Sequence, residues 1–314
     1  MKKSLQVIVA VITLIMILAG CGSKTPETST GTESVTEEKN NTEEVRVSYL
    51  GPEGTYTEEA TRLFFPNSKS LIPKETVNDA IDDLVSGNAD YAVIPQENTI
   101  GGVVTDYADA LIGQKDIYVA GEVILPISQT LMGVPGAKLE DIRVVCSHAQ
   151  GLAQSEQWRK EKLPDAKTQE MESTAAAASY VAETGDKSIA AVAAPGAADL
   201  YGLTVLARDV QISHANKTRF YVLSSSEMTG KKRTRALFVA SCEADRIDDI
   251  IVEIHNAGLE TVAIHDRPQG NRLGSYNYII EVENGKGIPE KSIEKICEFP
   301  EVRYIGSFNT VEGK

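Results

Sequence analysis

Four consecutive polar residues, Asn216, Lys217, Thr218 and Arg219, stand at the mouth of an apolar run in HANKTRFYVLS, His214 to Ser224. An amide, an ammonium, a hydroxyl and a guanidinium in a row supply hydrogen-bond donors and two cations. Such a set can grip an anion and stabilise an oxygen that leaves with charge. The same residues also suit a polar turn feeding a strand, with Arg219 solvated. Further polar clusters recur where apolar runs give way to helical patterns: Gly51–Thr57, Gln96–Thr99, Ser147–Gln154 and Glu172–Thr174. Within them Thr55, Asn98, Thr99, Ser147, Gln154, Glu172, Ser173 and Thr174 carry hydroxyl, amide or carboxyl groups able to meet a polar ligand. No Cys, His or acidic spacing matches a metal site, because the four His are scattered and Cys146, Cys242 and Cys297 show no close pairing. Cys146 and Cys242 end apolar runs and read as small core residues.

The elements that must hold these clusters read as alternating strands and helices. EVRVSYL, Glu44 to Leu50, alternates as a strand does and leads through GPEGT into a helix reaching Phe65. Strand, Gly-rich turn and helix N-terminus form an anion cradle, since first-turn N–H groups lack an internal partner, although many βα turns share this layout. Thr76 to Gly87 is an amphipathic helix stopped by glycine. Tyr91 to Ile94 is a buried strand broken by Pro95, and another strand lies around IYVAGEVILPISQTLMG. IRVVC is a strand, after which Ser147 caps a helix that sets Gln150 and Gln154 on one face. Glu172, Ser173 and Thr174 open an Ala-rich helix. SIAAVAAPGAADLYGL and TVLARDVQI add strand, helix and strand. This order predicts an α/β fold with mostly parallel pairing. Open α/β sheets bind ligands at strand carboxyl ends, so the polar clusters are expected to converge on one crevice.

After Gly230 the pattern changes. RTRALFVASC, DRIDDIIVEIHNAG, LETVAIHDRP, GSYNYIIEVEN, PEKSIEKICEF and EVRYIGSF give the order βαββαβ, a ferredoxin-like unit expected as a separate domain over 233–312. At the other end, MKKSLQVIVAVITLIMILAGC has a basic start, an apolar run and a closing Leu-Ala-Gly-Cys. That layout predicts a lipoprotein signal over 1–20 with lipidation at Cys21, an uncleaved anchor being the alternative. Residues 21–44 hold almost nothing apolar and are expected to form a disordered tether. The expected location is the extracytoplasmic face of the cell membrane, held by lipid alone. The 314 residues, 42% hydrophobic and 24% charged, are enough for two domains with a proper core. A net charge of −14 argues against a nucleic-acid partner. An anionic small molecule would need a locally positive pocket.

YLGPEGTYTEEA, PQENTIGGVV, EVILPISQTLMG, SHAQGLAQ, ESTAAAA, LYGL and NKTRFYVL follow one another as the signature segments of prephenate dehydratases do. The chain resembles that family from about Val45 to Phe308, and the trailing unit with IHDRP resembles its regulatory ACT domain. The resemblance implies a two-lobed catalytic domain over 45–226, related to type II periplasmic binding proteins. The second lobe would run from roughly Leu125 to Leu203, with NKTRFYVL returning to the first. It implies conversion of prephenate to phenylpyruvate with loss of carbon dioxide and water, a lyase step of phenylalanine biosynthesis needing no cofactor and no metal. Carried over residue by residue, the family's essential threonine falls on Thr218. Other binding or catalytic positions fall on Asn98, Ser147, Gln154 and Glu172. Glu172 is either an acid held in a poorly solvated cleft or a helix-start carboxylate, and Arg219 either anchors a substrate carboxylate or ties the hinge. Thr55, Thr99, Ser173 and Thr174 complete the expected substrate contacts.

The chain departs from the family in places. Gln96 stands where Ile is usual, placing a polar group beside the cleft. The family's phenylalanine-binding Glu-Ser-Arg-Pro reads His265-Asp266-Arg267-Pro268, and the Pro-Gly turn before the first ACT helix is missing. Arg267 and Pro268 remain the regulatory candidates, with a weak or lost phenylalanine effector expected. ACT pairing implies a homodimer or homotetramer. Arogenate stays open as substrate. The rival reading is a lipid-anchored binding protein or sensor for an aromatic acid without turnover, and retention of Thr218, Asn98, Ser147, Gln154 and Glu172 favours catalysis over it.

Overall fold

The computed structural model describes residues 44–213, 215–230 and 232–313. The expected signal, Cys21 and all of the expected tether but Glu44 lie outside the described residues. Along the chain β1 (Arg46–Leu50), α1 (Tyr56–Phe64), β2 (Ser70–Lys74), α2 (Val77–Val85), β3 (Tyr91–Asn98), β4 (Gly102–Val103), α3 (Thr105–Gly113) and β5 (Tyr118–Pro126) come first. Next are β6 (Thr130–Gly133), β7 (Val144–Ser147), α4 (Ala149–Gln154), α5 (Glu156–Lys162), β8 (Lys167–Glu170), α6 (Thr174–Thr184), β9 (Ile189–Ala193), α7 (Gly196–Leu200) and β10 (Thr204–Ala207). The last are β11 (Lys217–Ser224), β12 (Arg235–Glu243), α8 (Ile247–Asn256), β13 (Glu260–Pro268), β14 (Ser275–Glu283), α9 (Glu290–Ile296), β15 (Val302–Phe308) and β16 (Thr310–Glu312).

These strands form three sheets. The first has the order β16-β5-β11-β3-β1-β2 with β4 beside β3, the second β10-β6-β9-β7-β8, and the third β13-β14-β12-β15. Within the first, β1 runs parallel to β2 and β3, while β11 is antiparallel to both β3 and β5. In the second, β7 is parallel to β8 and β9, and β6 is antiparallel to β9 and β10. The mostly parallel pairing expected from sequence is therefore confined to one side of each sheet, β3-β1-β2 and β9-β7-β8, and to β16 beside β5. Antiparallel pairs arise where the chain crosses between sheets, since it leaves by β5 and comes back by its neighbour β11.

Two local expectations are corrected. The long apolar stretch around Tyr118–Gly133 is two strands in two different sheets, broken at Ile127–Gln129. Pro95 does not end its strand. The register against β11 pairs Arg219 with Glu97 and Phe220 with Pro95, so Gln96 is the extra residue of a bulge. A bulge removes the need for the ladder hydrogen bond that proline cannot donate.

Burial follows the alternation of the strands. One face of the first sheet packs Val47, Tyr49, Val93, Phe220 and Val222 under α1. The opposite face places Ile94, Tyr221 and Leu223 against Leu237, Val239, Ile279 and Ile305 of the third sheet. The third sheet's other face packs Phe238, Ile280 and Val282 under α8 and α9 through Ile250, Ile254 and Ile296. It is thus a βαββαβ sheet lying face to face on the first. Its tail does not stop there. Residues 310–312 pair in parallel with β5, so the end of the segment expected as a separate unit belongs to the first sheet. Gly306, with φ +125°, lets β15 approach the Val119 backbone where no Cβ would fit. Cys146 and Cys242 are buried, as their apolar surroundings suggest, and burial pushes the Cys146 thiol up to about 11. Among the described residues no helix is long and apolar enough to cross a membrane.

Candidate active site

Strand direction decides where a ligand can reach the polar clusters. In the first sheet β1 ends into the Gly51–Thr55 loop, β3 ends at Asn98, and antiparallel β11 begins at Lys217, all along one edge. In the second sheet β7 ends at Ser147, β8 at Glu170 and β9 at Ala193, along the edge where β6 begins and β10 ends. The two crossings, β5 to β6 and β10 to β11, join these carboxyl edges. Direct contacts close part of the gap. The Tyr201 hydroxyl donates to the Glu53 carbonyl at 2.9 Å, and any Cβ at Gly54 would press on Leu200 and Tyr201.

The hinge is a dense set of polar contacts. Ile127 N–H donates to the Asn216 carbonyl at 2.8 Å, and Val210 N–H to the Gln129 carbonyl at 2.9 Å. Tyr56 of α1 reaches the Ser128 carbonyl at 2.8 Å, and Gln129 N–H donates to Gln211 Oε1 at 2.8 Å. Gln154 belongs here. It is buried, its Oε1 accepts from Gln129 Nε2 at 3.0 Å, and its backbone carbonyl accepts from Ile212 N–H at 2.8 Å. The Gln154 oxygen thus ties the hinge, which fixes the amide and leaves its Nε2 as the donor expected of it.

Thr218 and Asn98 are brought together as directly opposed partners on β11 and β3, both half-buried. Asn98 Oδ1 accepts the N–H groups of Ile100 at 3.0 Å and Gly101 at 2.5 Å. That fixes the amide's orientation and leaves Nδ2 to donate outward. Thr99, by contrast, donates to the Ala215 carbonyl at 2.9 Å and accepts Lys217 N–H at 3.1 Å, clamping the loop before β11. Thr55 is the N-cap of α1 and Ser173 the N-cap of α6, accepting the N–H of Glu58 and Ala176 respectively. Their hydroxyls set helix starts. Thr55 and Thr99 also donate, to the Leu50 and Ala215 carbonyls, while Ser173 only accepts and Thr174 stands half-buried at the first position of α6.

In the second lobe the expected helix cap is shifted by one residue. His148, not Ser147, caps α4, its Nδ1 accepting Gln150 N–H at 3.3 Å. Ser147 ends β7, is fully buried, and donates its hydroxyl to the Val192 carbonyl at 2.6 Å. That bond makes the expected catalytic Ser147 a tie between β7 and β9. Glu172 is exposed rather than enclosed in a poorly solvated cleft. With His148, Glu170, Met171 and Ala176 it lines a cavity of about 580 Å³ at the carboxyl ends of β7 and β8. Sequence reasoning passed over His148, because a lone His at a helix start carries no spacing signal of its own.

Arg219 shows the largest departure. Alternation along β11 turns it away from the face of Thr218, and its guanidinium meets Glu122 Oε1 at 3.0 Å and Glu281 Oε2 of the third sheet. Burial opposes its charge, but Glu281 and Glu122 outweigh burial and hold the proton more tightly than usual. Burial likewise raises the Glu122 carboxyl, against the pull of Arg219 and of a hydrogen bond from Thr310. Arg219 is committed to an ion-pair tie and is not an open carboxylate anchor. Arg267 is committed too, its Nε and Nη2 each 2.7 Å from an Asp109 oxygen on α3, beside exposed Pro268. Among the described residues no cluster of His, Cys, Asp and Glu is arranged to hold a metal ion.

The prephenate dehydratase family model matches residues 47–228. The chain belongs to the prephenate dehydratase family. It is 34% identical over 253 residues to a bifunctional chorismate mutase/prephenate dehydratase of Aquifex aeolicus, covering 80% of this chain and 68% of that relative. It is 31% identical over 278 residues to a prephenate dehydratase of Amycolatopsis methanolica, covering 85% and 90% respectively. The crystal structure of the Arthrobacter aurescens prephenate dehydratase in complex with L-Phe superposes with a TM-score of 0.74 at 28% identity, over 84% of this chain and 90% of that one. The family resemblance read from YLGPEGTYTEEA through NKTRFYVL is thereby confirmed. The match ends at residue 228, just before the linker to the third sheet.

Proposed function

We propose that the chain is a prephenate dehydratase whose leaving oxygen is received by Thr218 and Asn98. The observation that carries this assignment is their opposition on one face of β11 and β3, at the carboxyl edge of the first sheet. Prephenate is a dianion with a ring hydroxyl. As its ring carboxylate departs as carbon dioxide, the bonding electrons enter the ring and the carbon–oxygen bond to the hydroxyl breaks. One proton joins that oxygen to give water, leaving the phenylpyruvate monoanion. Aromatisation supplies the driving force, so the protein has to orient the dianion, exclude water and stabilise the departing oxygen. A threonine hydroxyl is too weak an acid to give up its proton freely, and it acts by hydrogen bonding. Asn98 Nδ2 adds a second donor whose direction is preset. The first N–H groups of α6, beside Thr174, supply positive potential for a carboxylate.

Thr218→Ala is expected to lower kcat by about 10²–10³ while leaving prephenate binding near normal, as for loss of one preorganised donor. Phenylpyruvate absorbance with the purified chain reads this directly. Full activity in that variant refutes the assignment, and tight binding of prephenate by the wild-type chain without product selects the binding-protein reading.

The finer parts of the proposal rest on separate supports. The βαββαβ order of the third sheet supports an ACT-type unit, and the catalytic part is read as two lobes of the periplasmic-binding type II kind. Engagement of Arg267 by Asp109 supports a weak or lost phenylalanine effector. Pairing through the third sheet into a homodimer or homotetramer is the proposed assembly. Leu-Ala-Gly-Cys at 18–21 supports lipidation of Cys21 and an extracytoplasmic location, tested by labelling cells with a palmitate analogue and following the Cys21→Ser variant.

A further inference from the structure

We infer that Glu281 of the third sheet is a positioning residue for the dehydration, acting on Thr218 through Arg219. This rests on the assignment of Thr218 above. Thr218 is only the second residue of β11, next to the crossing from the other lobe. Its ladder with β5 is regular from Lys217 to Val222, but the register against β3, the strand that carries Asn98, shifts immediately after Arg219. The side chain of Arg219 adds a second restraint at that shift from the opposite face.

The device is a closed ring of alternating charge. Arg219 meets Glu122 Oε1 at 3.0 Å and also Glu281 Oε2, while Arg235 Nη1 lies 2.6 Å from Glu281 Oε1 and 3.5 Å from Glu122 Oε2. Glu122 is wholly buried and Glu281 is 2% exposed. Thr310 of β16 donates to Glu122, Tyr221 lies 3.5 Å from Glu281, and Glu97 and Glu283 flank the ring at 4.0 and 3.6 Å from Arg219 and Arg235. Four strands of two sheets, β5, β11, β12 and β14, thus converge on one ring beside the leaving-group residue.

Such a ring is a poor way to gain stability, because desolvating four charges consumes most of what their attraction returns. What it does provide is direction. A planar guanidinium held by two fixed carboxylates has one allowed orientation, and the backbone carrying Thr218 is set with it. Arg267 and Asp109 also bind the third sheet to the first lobe, but from α3, and do not touch β11.

Steady-state kinetics on prephenate with the full chain test this. Glu281→Gln should lower kcat by about ten- to a hundredfold, the cost of a small misplacement, with KM within about twofold. The paired variant Arg235→Met/Glu281→Met leaves Arg219 and Glu122 as a balanced pair, so it folds even if the single variant does not. It should show the same split between kcat and KM. Asp109→Asn, which loosens the same pair of sheets elsewhere, should leave kcat unchanged. Wild-type kcat in the folded paired variant, or an equal loss of kcat in Asp109→Asn, overturns the role of Glu281. A fully active Thr218→Ala instead overturns the assignment on which it rests.

Discussion

Gly151 and Ser147 form a pair whose coupling follows directly from the geometry. Gly151 is buried in α4, and a Cβ there would run into Ser147 Oγ, while its next neighbours, Ser147 Cβ and Thr174 Cγ2, lie at an ordinary 3.4 Å. Ser147 Oγ cannot step aside without giving up the Val192 carbonyl at 2.6 Å. Gly151→Ala therefore gains about 1 kcal/mol of helix propensity but loses about 1–3 kcal/mol to overpacking, a net loss in the wild-type background. Ser147→Ala alone costs about 1–2 kcal/mol for the lost buried hydrogen bond. In that background the obstructing oxygen is gone, so Gly151→Ala should turn stabilising by up to about 1 kcal/mol. Thermal or urea melts of the four proteins measure the cycle, and each kcal/mol is worth about 2–4 °C in Tm at this size. Additive effects would refute the placement of Ser147. The same proteins report on function: kcat of Ser147→Ala should stay within about threefold of wild type, whereas loss of one preorganised catalytic donor would cost about 10²-fold. A hundredfold loss at unchanged Tm would return Ser147 to the catalytic set.

Gln96 is fully buried, and neither amide atom has a hydrogen-bond partner among the described residues. Gln96→Met should raise stability by about 1–2 kcal/mol in urea melts, because an unsatisfied amide is replaced by an apolar chain of similar length; a lower midpoint would mean the amide is satisfied. The Asp109 carboxyl is held below its usual range by the Arg267 hydrogen bonds. A depressed carboxylate adds stability above about pH 4 and loses it as pH falls through the depressed value. Asp109→Asn should accordingly lower Tm at pH 7, with the gap narrowing as pH falls below about 4; a gap that does not change with pH would contradict the pairing.

Much of this protein is written in local pattern. Alternation in EVRVSYL, the amphipathic run from Thr76 with its glycine stop, and the βαββαβ order after Gly230 each depend on residues within one or two turns of each other. Periodicity and turn chemistry therefore reveal them. The ordered signature segments identify the family for a similar reason, as each is a contiguous string. Thr218 and Asn98 were legible as candidates on that basis, though their opposition on one face was not.

What the linear string leaves undecided is which groups are already spent. Ser147, Thr99 and Arg219 all look available as donors, yet Val192, Ala215 and Glu281 occupy them. Arg219 and Glu281 are 62 residues apart, and no spacing rule connects them before the sheets pack. The same holds for the bulge that carries β3 past Pro95 and for Thr310–Glu312 joining β5, since both depend on a neighbour from elsewhere in the chain. The amino-acid order by itself determined the elements, the family and the list of candidate groups, because those are properties of short segments. Only the tertiary structure decided which candidates remain open to a substrate, because a hydrogen bond or ion pair is made by whatever folding brings within reach.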